Sequence, residues 1–217
     1  MLRYLYGDEL ESHPVLSRTM FEDRAWQFRT RQGWDVEVDE TGQERDQYDA
    51  MNPLYVIWER PDGRHGGSMR LMPTTGPCMV NEHFSHLMDG QPIQSPLIWE
   101  CTRFCLAPAA ATTPSGGAAQ VAAALMLAGG EVMQGFGVEH FIGVFDARMT
   151  RIYRMIGASP EVLGASGQGR DRISVGLWAF SPSARRRVAQ SAGLSPALSR
   201  HWFQRAFGAG HAARHVA

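Results

Sequence analysis

The chain has 217 residues, a formal net charge of −1 and 44% hydrophobic residues. This length suits one domain with a sizeable core, so we expect residues 1–217 to form a single domain with a flexible tail over about 208–217. A charge near zero gives no overall field that would attract nucleic acid or an anionic membrane, and such partners would need a local basic patch.

The three cysteines form no C-x-x-C pair and lack metal-ligand spacing. They predict buried free thiols in a reducing compartment. No apolar run reaches about 18 residues, and the N-terminal segment turns acidic too early for a signal peptide. We therefore expect a cytoplasmic protein that binds no nucleic acid, membrane or metal.

The first elements along the chain are a short strand and a helix. Residues 1–7 have a strand pattern, and residues 13–34 have a helical one. A ridge at i, i+4 spacing runs along the helix through Leu16, Met20, Arg24 and Phe28. Arg24 is the anomaly, because it is charged within an apolar ridge.

A loop, a hairpin and an apolar strand follow. The polar, acidic segment 35–52 predicts a loop, and residues 54–75 predict a hairpin around a turn with Pro and Gly. Arg70 lies in the second strand of this hairpin. After an irregular segment at 76–96, residues 97–106 (LIWECTRFCL) predict a buried strand.

The second half predicts further alternation of helices and strands. In order these are a small-residue loop (107–117), a helix (118–137), a strand (138–146), a helix ending at Gly157 and a strand (173–180). Two Ser-Pro steps then predict the starts of two more helices. A hairpin after the first helix and a later β-α-β unit predict one α/β domain with helices on both faces of a mixed sheet.

Several charges interrupt these apolar patterns. A buried charge costs several kcal/mol unless it is paired or used (about 3–5 kcal/mol when a partner is removed). The charges are Arg24, Arg70, Glu100 and Arg103, together with the acidic cluster Glu44, Asp46 and Asp49. Each one alone has a structural explanation, either as a snorkelling side chain, a solvated loop acid or a member of an internal ion-pair network.

Taken together, these charges indicate a site for a zwitterionic ligand. Arginines bind a carboxylate through two parallel hydrogen bonds, and carboxylates hold an ammonium group. Aromatic residues nearby in sequence, Trp26, Phe28, Trp34 and Phe84, are suited to cover a ring or a cation. Strand periodicity places Glu100 and Arg103 on opposite faces, so either the strand contains a bulge or the two residues serve different sides.

The set and its spacing resemble the LuxI-type acyl-homoserine lactone synthases. The resemblance is strong over residues 20–105 and weaker through GVFDARMTRIYRMIG. The matching positions are Arg24, Phe28, Trp34, Asp46, Asp49, Arg70, Phe84, Glu100 and Arg103. A single R-x-x-x-F or E-x-x-R pattern carries little information, whereas nine positions in order and spacing are specific.

The resemblance implies a GNAT-like three-layer α-β-α sandwich with a mixed, splayed central sheet. It also implies an acyltransferase whose substrates are S-adenosylmethionine and a fatty acyl thioester, on acyl carrier protein or coenzyme A, with no further cofactor. The products are an N-acyl-homoserine lactone, which is a quorum-sensing signal, and methylthioadenosine.

The reaction suggests roles for the charged residues. Glu100 is the candidate general base, because a desolvated carboxylate becomes more basic. Arg24 and Arg103 are candidates to orient the ligand carboxylate. The candidate substrate-binding residues are Phe28, Trp34, Asp46, Asp49, Arg70, Phe84 and Phe104. Arg70 is either a ligand contact or a support for the other charges.

The resemblance also predicts an acyl-chain pocket and a docking surface. The pocket candidates, each of which is otherwise plain core, are Leu125, Met126, Phe141, Val144, Met149, Met155 and Leu177. Arg148, Arg151 and Arg154 recur on one predicted helix and, with Arg170 and Arg172, would dock an acidic carrier protein. The structural alternative is a solvated helix face.

Two other functions fit parts of the sequence. One is a different GNAT-like N-acyltransferase that uses coenzyme A, although PSGGAAQ lacks the basic residue typical of such pyrophosphate loops. The other is a non-catalytic DNA-binding module, with residues 184–205 as a helix-turn-helix. The charge of −1 and the interior charges argue against that module.

Overall fold

The computed structural model of the protein describes residues 1–111 and 117–208. Its centre is one seven-stranded sheet. The strands are β1 (Leu2–Tyr6), β2 (Leu54–Glu59), β3 (His65–Pro73), β4 (Ile98–Leu106), β5 (His140–Asp146), β6 (Glu161–Ser166) and β7 (Ile173–Trp178). Their spatial order is β1-β2-β3-β4-β5-β7-β6. β4 and β5 are parallel, and the other neighbours are antiparallel, so the sheet is mixed as predicted.

Helices cover both faces of the sheet. They are α1 (Pro14–Ala25), α2 (Met79–His83), α3 (Pro108–Ala111), α4 (Gly117–Phe136), α5 (Ala147–Ile156), α6 (Pro182–Ala192) and α7 (Pro196–Phe207). The side chains of α1 pack with Tyr55 and Ile57 on one face. Those of α4 to α7 pack with Val56 and Met69 on the other. No helix in the described part of the chain is long and apolar enough to cross a membrane.

The predicted end of α5 at Gly157 and the predicted starts of α6 and α7 are confirmed, whereas the first helix, predicted over residues 13–34, is α-helical only to Ala25 and continues as a π-helical segment over Trp26–Arg31. Asp146 begins α5 by accepting a hydrogen bond from the backbone of Met149, and Gly157 ends it in the left-handed conformation. The Ser-Pro steps begin α6 and α7, with Ser181 and Ser195 as N-caps. Cys78 and Cys105 are buried and Cys101 is half-buried, and all three are free thiols.

Two short α-helices and one strand of the described residues were not predicted. α2 lies within the segment 76–96 and has only five residues, and α3 lies within the predicted small-residue loop. β6 is one of the two edge strands, and its side chains are exposed at almost every position, so it has no alternation of apolar and polar residues. The predicted tail from 209 onward lies outside the described residues.

The sheet divides between β4 and β5. These strands pair over residues 98–100 and 140–142 and then diverge. Gly143 lies at this fork, where a Cβ atom would be 2.7 Å from the carbonyl oxygen of Cys101. Glycine is required there because real Cβ atoms do not approach a backbone oxygen so closely. The fork opens a passage between the two helical layers.

A buried histidine ties α1 to the start of β3. The Nδ1 atom of His65 lies 2.7 Å from Asp23 Oδ2, and its Nε2 atom lies 3.0 Å from Ser68 Oγ. Burial lowers the pKa of His65, although the hydrogen bond to Asp23 opposes this shift. The imidazole is therefore neutral at pH 7 in the folded protein.

We expect the free energy of unfolding to decrease as pH falls below the ordinary histidine pKa of 6.5. The unfolded chain binds a proton at His65 more readily than the folded one, so this contribution is complete above that pH and declines below it, by at most about 1.4 kcal/mol per pH unit. Urea denaturation at pH 5 to 8 measures this free energy, and it should depend less steeply on pH in His65→Gln than in the native protein. His201→Gln, which removes an exposed histidine, should keep the native slope. Equal slopes for both variants would contradict this interpretation.

Candidate active site

The misplaced charges form one buried cluster. Glu44 is at its centre, fully buried. It accepts hydrogen bonds from Arg24 Nε at 2.6 Å and from Arg103 Nε at 3.0 Å. Arg24 also binds both carboxylate oxygens of Asp49, at 2.9 and 2.8 Å. The apolar ridge of α1 tolerates Arg24 because Glu44 and Asp49 neutralise its charge in the interior.

Two further residues close the cluster. Arg70 binds both oxygens of Asp46, at 2.5 and 2.9 Å, and reaches Asp49 at 2.8 Å. Arg103 reaches Asp46 at 2.8 Å. Three guanidinium groups thus face three carboxylates with no net charge, and we call these residues the arginine–carboxylate cluster: Arg24, Arg70, Arg103, Glu44, Asp46 and Asp49.

The acidic loop is rigid where it supplies the carboxylates. Asp46 is the N-cap of a 3-10 turn over Gln47–Met51 and accepts hydrogen bonds from the backbone of Tyr48 and Asp49. In return, Asp49 accepts one from the backbone of Asp46. This reciprocal capping orients both carboxylates through the backbone of their own loop. Tyr55 donates its hydroxyl to Asp49 at 2.5 Å.

The cluster favours the charged forms of Asp49 and Arg24. Burial alone would favour the neutral acid at Asp49, but the hydrogen bonds and charges of Arg24 and Arg70 outweigh it and hold the pKa of Asp49 well below its ordinary value. Burial likewise opposes the charge on Arg24, and Asp49 and Glu44 outweigh it and raise the pKa of Arg24.

A β-bulge explains how Glu100 and Arg103 serve one site. Ser68 pairs with Cys105 and Arg70 pairs with Thr102, so one residue of β3 opposes two of β4. Arg103 has a φ of +51°, in the left-handed region that a non-glycine residue rarely adopts. The bulge turns Arg103 to the face of the sheet where Arg70 lies.

Glu100 anchors the short helix α2. Its two carboxylate oxygens accept hydrogen bonds from the backbone nitrogens of Met79 at 3.0 Å and Val80 at 2.5 Å. Burial raises the pKa of Glu100, and these hydrogen bonds partly offset the shift. The carboxylate is thus more basic than a solvated one, and it also fixes the segment that carries Met79 and Phe84.

A cavity passes through the fork. On the α1 face its walls include the rings of Phe28, Trp34 and Phe84, and Phe28 and Trp34 stack there with ring centroids 5.2 Å apart. Arg103 lies at the boundary between this cavity and the arginine–carboxylate cluster, with 10% of its side chain exposed. On the α4 face the cavity is apolar.

Nine residues proposed from the sequence line this cavity: Phe28, Trp34, Phe84, Arg103, Phe104, Met126, Phe141, Val144 and Met149. Four others lie behind the wall in the arginine–carboxylate cluster, namely Arg24, Asp46, Asp49 and Arg70, and Glu100 lies behind it against the backbone of α2. The structure thus separates an arginine that faces the cavity from the residues that hold it.

Three predicted pocket residues lie outside the cavity. Leu125 precedes Met126 on α4 and points to the core on another side of the helix. Leu177 precedes Trp178 on β7 and faces the opposite side of the sheet, where it packs against Ile142 and Val175. Met155 is 58% exposed on α5. In each case, one step along a helix or strand changes the direction of the side chain.

Several residues that line the cavity were not predicted from the sequence. They are Gln27, Gln32, Met69, Met79, Cys101, Gly129, Gly130, Met133, Phe145, Tyr153, Trp178 and Phe180. One signal was present, because two adjacent glycines in an apolar helix are costly and need a packing reason. The aromatic lining gave no signal, since its spacing is that of ordinary core.

The predicted docking arginines are exposed. Arg148, Arg151 and Arg154 lie on α5, and Arg170 and Arg172 lie in the segment after β6. Arg186 and Arg187 on α6 are also exposed, and α6 contacts α5. We call these seven residues the basic face. These arginines lie on neighbouring elements, and α5 also carries Met149 and Tyr153, which line the cavity.

Relatives with similar sequences cover most of the chain. The sequence profile of the family described as autoinducer synthase matches residues 8–186. An acyl-homoserine-lactone synthase of Rhizobium etli is 42% identical over 181 residues, which is 82% of this chain and 84% of the relative. One of Agrobacterium fabrum is 30% identical over 159 residues, which is 72% and 75% of the two chains.

Solved structures share the fold. The acyl-homoserine lactone synthase LasI is 24% identical, with a TM-score of 0.75 over 88% of this chain and 94% of LasI. BjaI, solved with S-adenosylmethionine and isopentyl-CoA, is 20% identical, with a TM-score of 0.76 over 89% and 90% of the chains. A putative N-acetyltransferase from Lactobacillus plantarum has a TM-score of 0.52 over 83% of this chain and 99% of its own.

The three layers and the splayed mixed sheet define a GNAT-like fold. The relatives with similar sequences are acyltransferases, namely acyl-homoserine-lactone synthases. The chain belongs to the autoinducer synthase family. Both the predicted fold class and the predicted family are confirmed.

The variant Glu44→Gln should destabilise the protein by about 3–5 kcal/mol. It removes one of the three carboxylates that balance three buried guanidinium groups, so one positive charge in the cluster is left uncompensated although Asp49 and Asp46 still contact Arg24 and Arg103. Breaking a buried ion pair from one side has this cost. Urea denaturation measures the loss. Glu40→Gln, an exposed position in the same loop, should change stability by less than about 0.5 kcal/mol. A loss below about 1 kcal/mol for Glu44→Gln would show that the cluster tolerates an unpaired charge.

Proposed function

We propose that this acyl-homoserine lactone synthase transfers an acyl group from a fatty acyl thioester to the amine of S-adenosylmethionine, and that lactone formation then releases methylthioadenosine. Both substrates bring their own reactive groups, so we propose no cofactor or metal. One observation carries the proposal: Arg103 lies where the arginine–carboxylate cluster meets a cavity that passes through the sheet. A zwitterion and an apolar chain can therefore meet at one point.

The ligand carboxylate would bind Arg103. Its Nε and one terminal nitrogen are held by Glu44 and Asp46, whereas the contact of its other terminal nitrogen among the described residues is Met79 Sδ at 4.0 Å. That nitrogen is the available donor. All three guanidinium nitrogens of Arg24 already donate to carboxylates, and those of Arg70 donate to carboxylates and to the hydroxyl of Thr102, so these two arginines would position Arg103.

Glu100 would act as the general base. The amine of S-adenosylmethionine must lose a proton to attack the thioester carbonyl, and the raised pKa of Glu100 suits that task. Both carboxylate oxygens also accept backbone hydrogen bonds and Glu100 does not line the cavity, so the proton would move through a water. Each oxygen keeps a second lone pair for this purpose.

The thioester would lie in the fork. Beyond Glu100 the backbone of β4 is no longer paired with β5, so N–H groups on that edge of β4 are placed to stabilise the oxyanion of the tetrahedral intermediate. The acyl chain would extend along the apolar wall formed by Met126 and Phe141. Collapse of the intermediate breaks the carbon–sulfur bond and releases the thiol of the donor.

Lactone formation needs only orientation. The carboxylate of the acylated intermediate attacks its own γ-carbon, and the carbon–sulfur bond to the sulfonium breaks with its electron pair. Methylthioadenosine leaves as a neutral thioether. Arg103 would hold the carboxylate near the γ-carbon, and proximity of this kind contributes several kcal/mol to a ring closure (about 7–11 kcal/mol in the best cases).

The basic face would dock an acidic acyl carrier protein as the donor, while coenzyme A remains the alternative carrier. Like charges on one surface accelerate the association of an oppositely charged partner. We place the reaction in the cytoplasm and assign it to residues 1–217 as a single domain.

The variant Glu100→Gln should lower kcat/KM by at least about 100-fold, because general bases contribute about 10²–10⁴. Mass spectrometry of culture extracts should show a homoserine-lactone product for the native chain and not for the variant. The pH profile of the purified variant distinguishes the two roles of Glu100. If Glu100 is the general base, the residual activity of Glu100→Gln should no longer fall at acid pH. If Glu100 only anchors α2, the variant should keep the native pH profile.

Replacing Arg148, Arg151 and Arg154 together by Glu should raise KM for an acyl carrier protein donor by at least about tenfold and leave kcat unchanged. Repulsion of the acidic carrier affects association and not the chemical step. Arg205→Glu, on α7 beside the opposite edge of the sheet, should leave KM unchanged. An equal KM for the triple variant and the native enzyme would place the docking surface elsewhere.

A further inference from the structure

The inner end of the cavity lies where β4 and β5 come together. Trp178 of β7 pairs with Phe141 of β5, and Phe141 pairs with Trp99 of β4 in the closed part of the fork. Phe180 follows two residues after Trp178 and lines the same cavity. The end wall opposite the open side of the fork is therefore formed by Trp178 and Phe180.

These two aromatic residues are held differently. Trp178 donates its indole N–H to the carbonyl of Ala158 at 2.8 Å and packs edge-to-face on Tyr153, with ring centroids 5.1 Å apart. Phe180 has no polar atom in its side chain and is half-buried between β7 and α6. Packing alone keeps the Phe180 ring in place.

The position of the Phe180 ring depends on a glycine in α4. Gly130 is buried in the middle of this helix, and a Cβ atom there would collide with the ring of Phe180. A glycine inside a helix is less favourable than alanine by about 1 kcal/mol. The missing side chain therefore has a packing role, which is to admit the ring of Phe180 against the helix backbone.

A second pocket lies on the other side of the same wall. It is lined by Trp178 and Phe180 together with Arg154, Ser181 and Arg187. Both arginines are exposed. Phe180 thus separates an apolar cavity inside the protein from a polar pocket on its surface.

We propose that Phe180 closes the inner end of the acyl-chain site and sets the longest chain that the enzyme accepts. The proposal rests on the proposed function. A chain that fills the cavity ends against the Phe180 ring, and a longer one must displace that ring. Without the ring, the cavity joins the surface pocket and the chain can continue outward.

The test is the ratio of kcat/KM for the next longer even-chain donor to that for the best native donor. Purified native enzyme and Phe180→Ala are compared over a series of saturated acyl donors. We expect this ratio to rise at least tenfold in Phe180→Ala, because one methylene group changes discrimination in an apolar pocket by about 10–200-fold. Phe180→Leu should shift the ratio in the same direction by a smaller factor.

Phe136→Ala is the matched control. Phe136 is also a half-buried phenylalanine packed on the α4 side of the sheet, but it contacts Trp99 and Phe207 outside the cavity. This variant should lose stability and keep the native ratio. If Phe180→Ala does not fold, Phe180→Leu decides the question.

Three results would overturn the proposal. The first is a folded Phe180→Ala with the native ratio, the second is a native ratio in Phe180→Leu when Phe180→Ala does not fold, and the third is the same shift in Phe136→Ala. In all three cases the native enzyme still forms an acyl-homoserine lactone. If the proposed function itself is wrong, the native enzyme forms no such product from any donor.

Discussion

Mutual neutralisation of three buried arginines and three carboxylates is the interaction on which the site depends. A guanidinium in the interior is tolerated only when carboxylates surround it, and the acidic loop between α1 and β2 supplies them in a fixed conformation. The cluster joins α1, the acidic loop, β3 and β4. Removal of any one carboxylate therefore leaves an uncompensated positive charge at the point where these four elements meet.

The cluster also supports a strained backbone. Arg103 is held in a left-handed conformation by Glu44 and Asp46, and such conformations cost about 1–3 kcal/mol and persist only where the surroundings determine them. The resulting bulge directs a guanidinium toward the cavity while β4 diverges from β5. Charge pairing and the fork therefore act together, since one fixes the cationic group and the other opens the space in front of it.

The two ends of the cavity differ in chemistry because they belong to different layers. The α1 face contributes stacked aromatic rings and the charged cluster, and the α4 face contributes apolar side chains around two glycines. The sheet lies between them, and the fork is the passage that joins them. A reaction between a zwitterion and an apolar chain suits this arrangement, because each substrate meets surroundings of its own polarity.

The sequence by itself determined the larger elements and the set of interior charges. Hydrophobic periodicity and Ser-Pro caps are local signals, and charges such as Arg24 and Glu100 are conspicuous in apolar segments because an unpaired one is so costly there. Only the tertiary structure decided that Arg103 faces the cavity while Arg24 lies behind it, that Met126 lines the cavity while Leu125 does not, and that Phe180 closes its end. These outcomes depend on a bulge, on single steps around a helix or strand, and on contacts between distant segments, none of which leaves a periodic pattern in the sequence.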